Sequence, residues 1–312
     1  TTFASNNGDT KTITESQIGG WSLTNLVCDD ANGSTNLQTR TATLSVVEGE
    51  VINCTYTNTL QNGTLRVNKI TTPAEAEVFS VTATGSGSIT GSATQNVTGG
   101  SYVDYTVTTG TYSVTETPKT GWSETSNTCT NVSVPAGGIG ECTITNTKLG
   151  KIIVQKQTLP DGSSQSFEFD TDYSSNFFLS DGQSNDSGFV LLPGTYSVSE
   201  ILPTGWDQDS AICSDNSSST SINLSAGETL TCVFTNSQRG TISGYKYNDL
   251  NGDGINDGDW LPVSGWTIEL WKGQTYITTT TGANGFYSFS NLINGVYTLV
   301  EQIVSGWTNV TS

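Results

Sequence analysis

The sequence has no histidine and no methionine in its 312 residues. The missing imidazole excludes Ser-His-Asp and Cys-His catalysis and every histidine-ligated metal centre. Without methionine even at position 1, the chain reads as a processed product or a fragment. Basic residues are scarce, 11 Lys and Arg against 29 Asp and Glu, for a net charge of −18. Nucleic acid and anionic membranes both need clustered Lys and Arg, so neither is expected as a partner. Charged residues of both signs reach only 13%, and there are 7 prolines, which is not the composition of a disordered tail. No apolar run is long enough to span a bilayer, so no membrane insertion is expected, and no signal peptide or lipidation motif is visible. Long apolar stripes with a helical period are also missing.

Small hydroxylated residues fill the space. Ser and Thr number 90, about 29% of the chain, and glycine adds 34. Such a chain suits many short strands joined by tight turns.

The repeats decide the architecture. One unit runs from GTLRVNK at Gly63 through TYSVTETPKTGW to CTITNTK, and a second from GKIIVQK at Gly150 through TYSVSEILPTGW to CVFTNSQ. A third opens with GTISGYK at Gly240 and reaches VYTLVEQIVSGW. The back half alone appears at the start, from KTITESQIGGW to CTYTNT. The internal offsets are rigid. Gly63 to Lys69, Gly150 to Lys156 and Gly240 to Lys246 are each six residues. Glu15 to Trp21, Glu116 to Trp122, Glu200 to Trp206 and Glu301 to Trp307 are also six. Cys54 to Asn58, Cys142 to Asn146 and Cys232 to Asn236 are four. The expected fold is all-β, a tandem array of Ig-like or prealbumin-like antiparallel β-sandwich modules. The expected modules span residues 1–61 (partial), 62–149, 150–239 and 240–312 (lacking its last strand).

Cysteines come in one pair per module: Cys28 with Cys54, Cys129 with Cys142, and Cys213 with Cys232. Six cysteines allow fifteen connectivities. The repeat favours the local pairing, and the lack of C-x-x-C spacing disfavours metal binding. Disulfides place the chain in an oxidising compartment outside the cell.

Strand alternation puts Lys69 on the face of Leu65 and Val67, Glu116 on that of Tyr112 and Val114, and Asn146 on that of Cys142 and Ile144. Lys156, Glu200 and Asn236 repeat the arrangement. A buried ammonium needs compensation, so these trios are candidate sites.

These words resemble the prealbumin-like, Cna-B-type modules of microbial surface proteins over residues 62–239. Residues 8–61 look like the back half of such a module. GTISGYKYNDLNGDGINDGD and TTTTGANGFYSFSNLINGVYTLVE resemble the B repeats of serine-aspartate-rich adhesins. The resemblance implies that Lys69, Glu116 and Asn146, and likewise Lys156, Glu200 and Asn236, form autocatalytic Lys–Asn isopeptide bonds. A plain Lys–Glu ion pair would produce the same spacing.

In the last module, DLNGDGINDGD offers Ca²⁺ ligands in an EF-hand-like order. Asp249, Asn251 and Asp253 hold positions 1, 3 and 5, followed by the Ile255 carbonyl and Asp257. Trp260 stands where the bidentate glutamate belongs, and Asp259 is the expected substitute. An acidic glycine-rich turn is the alternative. Nine N-x-S/T sequons, at Asn32, Asn53, Asn62, Asn96, Asn131, Asn185, Asn216, Asn223 and Asn309, permit glycans.

No nucleophile converges with a base, so the chain does not read as an enzyme. The expected function is a structural subunit of an extracellular filament or pilus-like fibre, with copies of itself as head-to-tail partners. The alternative is the stalk of a cell-surface adhesin. Strand donation is the expected joint: residues 1–7, with Phe3, Asn6 and Asn7, would complete the fourth module beside Lys246 of the next subunit.

Overall fold

The computed structural model describes residues 9–310. The donor segment 1–7 lies outside the described residues. The described residues contain no helix and divide into two compact units, Thr1–Leu149 and Gly150–Ser312.

The described strands surround four separate hydrophobic cores. In the second module, one sheet runs in the order Trp122–Asn127, Ile139–Lys148, Gly63–Thr72, Tyr102–Val107, Ile89–Thr90. The facing sheet runs Val132–Val134, Gly110–Glu116, Val78–Gly85, Thr94–Thr98. Strand Gly63–Thr72 buries every second residue through Thr71, which is the period-2 signature of a sheet covering a core. The third module repeats this plan around Phe167, Phe169 and Phe234, with Lys151–Leu159 as its opening strand and Thr229–Gln238 as its closing strand.

Most pairings are antiparallel, as expected, but one in each complete module is parallel. Closing strand Ile139–Lys148 lies parallel to opening strand Gly63–Thr72, and Thr229–Gln238 parallel to Lys151–Leu159. A parallel neighbour needs a long crossover. Here the whole module forms that crossover, so first and last strands meet in its middle.

The two outer modules are smaller. The first has a three-stranded sheet, Asp9–Thr14, Thr41–Val46, Ser34–Asn36, and a two-stranded one, Trp21–Cys28 with Cys54–Leu60. The fourth pairs Gly240–Tyr245 with Phe286–Leu292 and sets Thr267–Lys272 between Thr275–Thr280 and Thr298–Glu301.

All six cysteines are paired as Cys28–Cys54, Cys129–Cys142 and Cys213–Cys232. Each bond ties the chain that follows the Gly-Trp corner to the closing strand. Trp122 packs edge-on against Phe79 at 5.5 Å, and Trp206 against Phe167 at 5.1 Å. These contacts close the complete sandwiches at one end.

Phe169 is fully buried and packs against Phe177 and Phe234. Phe169→Ala is expected to destabilise the third module by about 3–5 kcal/mol. Denaturant melting checks this, and the transition of the second module, which has its own core, should not move.

Candidate functional site

In the second module, the parallel register places Ile144 beside Lys69, so Asn146 lies two residues further along the same inward face. The facing sheet sets Glu116 against both. Lys69 Nζ donates to Asn146 Oδ1 at 2.6 Å and stands 3.2 Å from Glu116 Oε2. Asn146 Nδ2 donates to Glu116 Oε1. The side chains of Lys69 and Glu116 are 0% and 3% exposed, so water does not compensate the pair.

The third module reproduces the trio. Lys156 Nζ lies 3.3 Å from Glu200 Oε1, and Asn236 Nδ2 donates to Glu200 Oε2 at 2.8 Å. The Lys156 ammonium donates to the carbonyls of Gln157 at 2.9 Å and Phe234 at 3.2 Å, while Asn236 Oδ1 is buried and accepts no hydrogen bond. In both modules the Lys Nζ also sits 4.3 Å above a phenylalanine ring, Phe79 or Phe167.

Burial holds the Lys69 and Lys156 amines below their ordinary value, against the opposing pull of Glu116 and Glu200. Burial also pushes the Glu200 carboxyl up, although Asn236 and Lys156 draw it down. A neutral amine is a nucleophile, and a neutral carboxylic acid can polarise an amide carbonyl. The arrangement can therefore support attack of an amine on the asparagine side chain.

The outer modules each carry part of this set. In the fourth, Lys246 Nζ pairs with Glu301 Oε1 at 2.9 Å and lies over Trp266, and both partners are half-buried. In the first, Asn58 Nδ2 donates to Glu15 Oε1 at 2.6 Å, and Glu15 Oε2 is buried without a partner. The sequence reading missed this second pair. Its signal was present in the constant Glu15–Trp21 and Cys54–Asn58 offsets, which give the module a glutamate and an asparagine with no matching lysine.

The acidic loop of the fourth module folds on its own amides. Asp249 accepts from the N–H groups of Gly252 at 2.8 Å and Gly254 at 2.7 Å. Asp253 accepts from Ile255 N, and the Ile255 carbonyl accepts from Asp257 N at 3.0 Å. The Gly254 amide holds the Asp249 carboxyl low. Lost hydration, followed by the neighbouring Asp257 and Asp249, pushes the Asp259 carboxyl up. Asp259 Oδ1 is buried without a hydrogen bond. That orphaned oxygen and the all-oxygen donor set fit a hard cation. Among the described residues, however, no three His, Cys, Asp or Glu side chains gather closely enough to hold a metal ion. Asn251 and main-chain oxygens would have to contribute.

Family comparison agrees with this architecture. Residues 59–149 match one model of a prealbumin-like fold domain, residues 1–60 and 152–238 match another, and residues 240–312 match the SdrD B-like domain. The chain belongs to the prealbumin-like fold domain proteins and ends in an SdrD B-like domain. Serine-aspartate repeat-containing protein F of Staphylococcus epidermidis is 31% identical over 132 residues, covering 39% of this chain and 8% of that protein. The bone sialoprotein-binding protein of Staphylococcus aureus is 29% identical over 156 residues, covering 48% of this chain and 13% of that protein. The chain thus spans only a small part of these relatives' length. The Bacillus anthracis TIE protein superposes with a TM-score of 0.38 at 14% identity, covering 96% of this chain and 64% of that one. A structural likeness this distant says nothing about function. The matched models describe fold domains, and the setting that goes with the relatives is extracellular or cell-surface.

Glu200 has a raised pKa in the folded chain. Its contribution to stability is therefore complete below the ordinary value of 4.5 and is lost as the pH rises through the folded value. Relative to Glu200→Gln, the wild-type third module should lose stability as the pH rises above 4.5. Denaturant titrations of both proteins from about pH 4 to about pH 7 measure that difference.

Proposed function

We propose that the chain is a structural subunit of an extracellular filament or pilus-like fibre, joined head to tail with copies of itself. The observation that carries this reading is the succession of four β-modules in one chain, three of them closed by a disulfide of their own. Strand donation supplies the joint, with main-chain hydrogen bonds providing affinity. Electron microscopy of the purified native material tests it: fibres support the reading, and isolated particles at every concentration overturn it. The second reading is an adhesin stalk. It is favoured by the relatives, which include a bone sialoprotein-binding and a fibrinogen-binding protein.

Covalent closure of the second and third modules belongs to this proposal. The neutral amine of Lys69 or Lys156 attacks Cγ of Asn146 or Asn236. An amide C–N bond forms, the original C–NH₂ bond breaks, and ammonia leaves. Glu116 or Glu200 carries the proton from the attacking amine to the departing nitrogen. The buried charge disappears in the step. Intact mass after full reduction should fall short by one ammonia per bond, two in all. The full unmodified mass would leave ion pairs and no bond.

Calcium is the proposed ion for the loop at Asp249, Asn251, Asp253, Ile255, Asp257 and Asp259. Its charge would offset the lost hydration, and after it the neighbouring carboxylates, that raise Asp259. Chelation should lower the melting temperature of the fourth module alone and change the fluorescence of Trp260, whose ring lies 5.6 Å from Tyr247 beside the loop. A melting curve that ignores the chelator would make the loop a turn.

A further inference from the structure

The second and third modules differ at one end of the sandwich. In the second, strand Tyr102–Val107 turns Val103, Tyr105 and Val107 toward the core, and Tyr105 and Val107 are fully buried. The Tyr105 hydroxyl donates to Val81 O on the facing sheet at 3.0 Å. The third module puts polar residues at the same places. Asn185 stands opposite Val154, as Val103 stands opposite Val67. Tyr105 pairs with Leu65, and Ser187 N donates to Ile152 O at 3.0 Å. Leu65 and Ile152 are each the second residue after the first glycine of their module, so Ser187 takes the place of Tyr105. Strand Ser184–Asp186 ends there, and Gly188, at φ 72°, turns the chain away.

The facing sheet carries the reverse change. Phe79 and Phe167 are equivalent, each edge-on to its corner tryptophan and 4.3 Å from its lysine Nζ. Six residues on, the second module has Gly85, where a Cβ would collide with the Tyr112 ring. The third has Tyr173. The ring has moved from one sheet to the other, and it leaves space behind. Tyr173 packs edge-on against Tyr196 at 5.8 Å. Its hydroxyl is buried without a hydrogen bond, whereas the Tyr196 hydroxyl donates to Leu192 O at 2.7 Å. Lost hydration, followed by Asp172, pushes the Tyr173 hydroxyl up to about 12. A groove of about 320 Å³ remains, lined by Tyr173, Asn176, Phe177, Asn185, Ser187 and Leu191, among others.

Polar side chains at core positions, a vacated ring and an orphaned hydroxyl thus coincide in one place. Departures of this kind from close packing are found at functional sites. The groove is at the small end of ligand pockets. Among the described residues that line it, the one charged group is Asp186, which is neutralised by Lys151 at 2.7 Å. No net charge is there to attract an ion. An apolar ring would leave the amides and the tyrosine hydroxyl unpaired. A neutral ring carrying several hydroxyl groups would pair them and rest its C–H face on an aromatic wall. We infer that this groove of the third module binds a pyranose unit of a neutral glycan. The site belongs to that module alone and serves a fibre or a stalk alike.

The test titrates the full chain with methyl pyranosides of glucose, galactose, mannose and N-acetylglucosamine, while heteronuclear NMR follows the backbone amides. At least one sugar should bind in the millimolar range and shift the amides of Tyr173 and Asn185, with those of the second module unmoved. Ser187→Tyr restores the ring found in the second module and should abolish binding. Asn185→Val, which copies Val103, should weaken it and serves as the block if Ser187→Tyr does not fold. Tyr173→Phe keeps the ring, removes the hydroxyl and should weaken binding about tenfold. Free phenol should bind less tightly than the sugar. No response to any pyranoside overturns the inference, as does tighter binding of phenol. An affinity left unchanged by Tyr173→Phe or by the folded blocking variant overturns it too.

Discussion

An ammonium group in the middle of a β-sandwich governs the rest of the complete modules. Lys69 and Lys156 are as buried as the valines beside them. A charge in that position is tolerated only with a carboxylate and further hydrogen-bond partners in fixed places. Glu116 or Glu200 must come from the facing sheet, and Asn146 or Asn236 from the strand alongside. The parallel pairing of first and last strands meets the second requirement, because it brings the asparagine two residues past the lysine on the same face. The module cannot shift register by one residue without turning all three groups to the outside.

The disulfides act on the same element. Each holds the closing strand to the segment after the Gly-Trp corner, and the loops they close contain few enough residues that each contributes roughly 2–4 kcal/mol. The closing strand is thus tied on one side by sulfur and on the other by the lysine. In a chain whose hydrophobic share is only 33%, such staples make up for modest cores. The Trp corner adds an edge-on aromatic contact where the two sheets meet.

The outer modules show what happens when part of the set is separated. In the first module, where no lysine strand lies beside the closing strand among the described residues, Trp21 and Asn58 are exposed and Glu15 Oε2 is buried without a hydrogen bond. In the fourth module, where no closing strand pairs with Gly240–Tyr245 among the described residues, Lys246 makes a half-buried ion pair with Glu301. These are the same residue types with weaker burial, so the polar trio depends on the full two-layer sandwich. The disulfides and the acidic composition suit an extracellular, cell-surface setting.

Much of this was readable in advance from the residues. The period-2 alternation around Val67 and Val154 showed which residues face inward, because side chains on a strand alternate strictly. The fixed offsets gave the repeat, the cysteine pairs and the members of both trios. Local alternation could not show which strand lies beside which. Glu15 and Asn58 are 43 positions apart, and only the offsets shared with the other modules, not the alternation around either residue, link them. Neither could it show that the first and last strands run parallel, since that follows from how the whole module closes. The sequence by itself determined the strand faces, the residue types and their spacing. Tertiary structure alone decided the pairing, the register and the burial, because those depend on contacts between segments far apart in the chain.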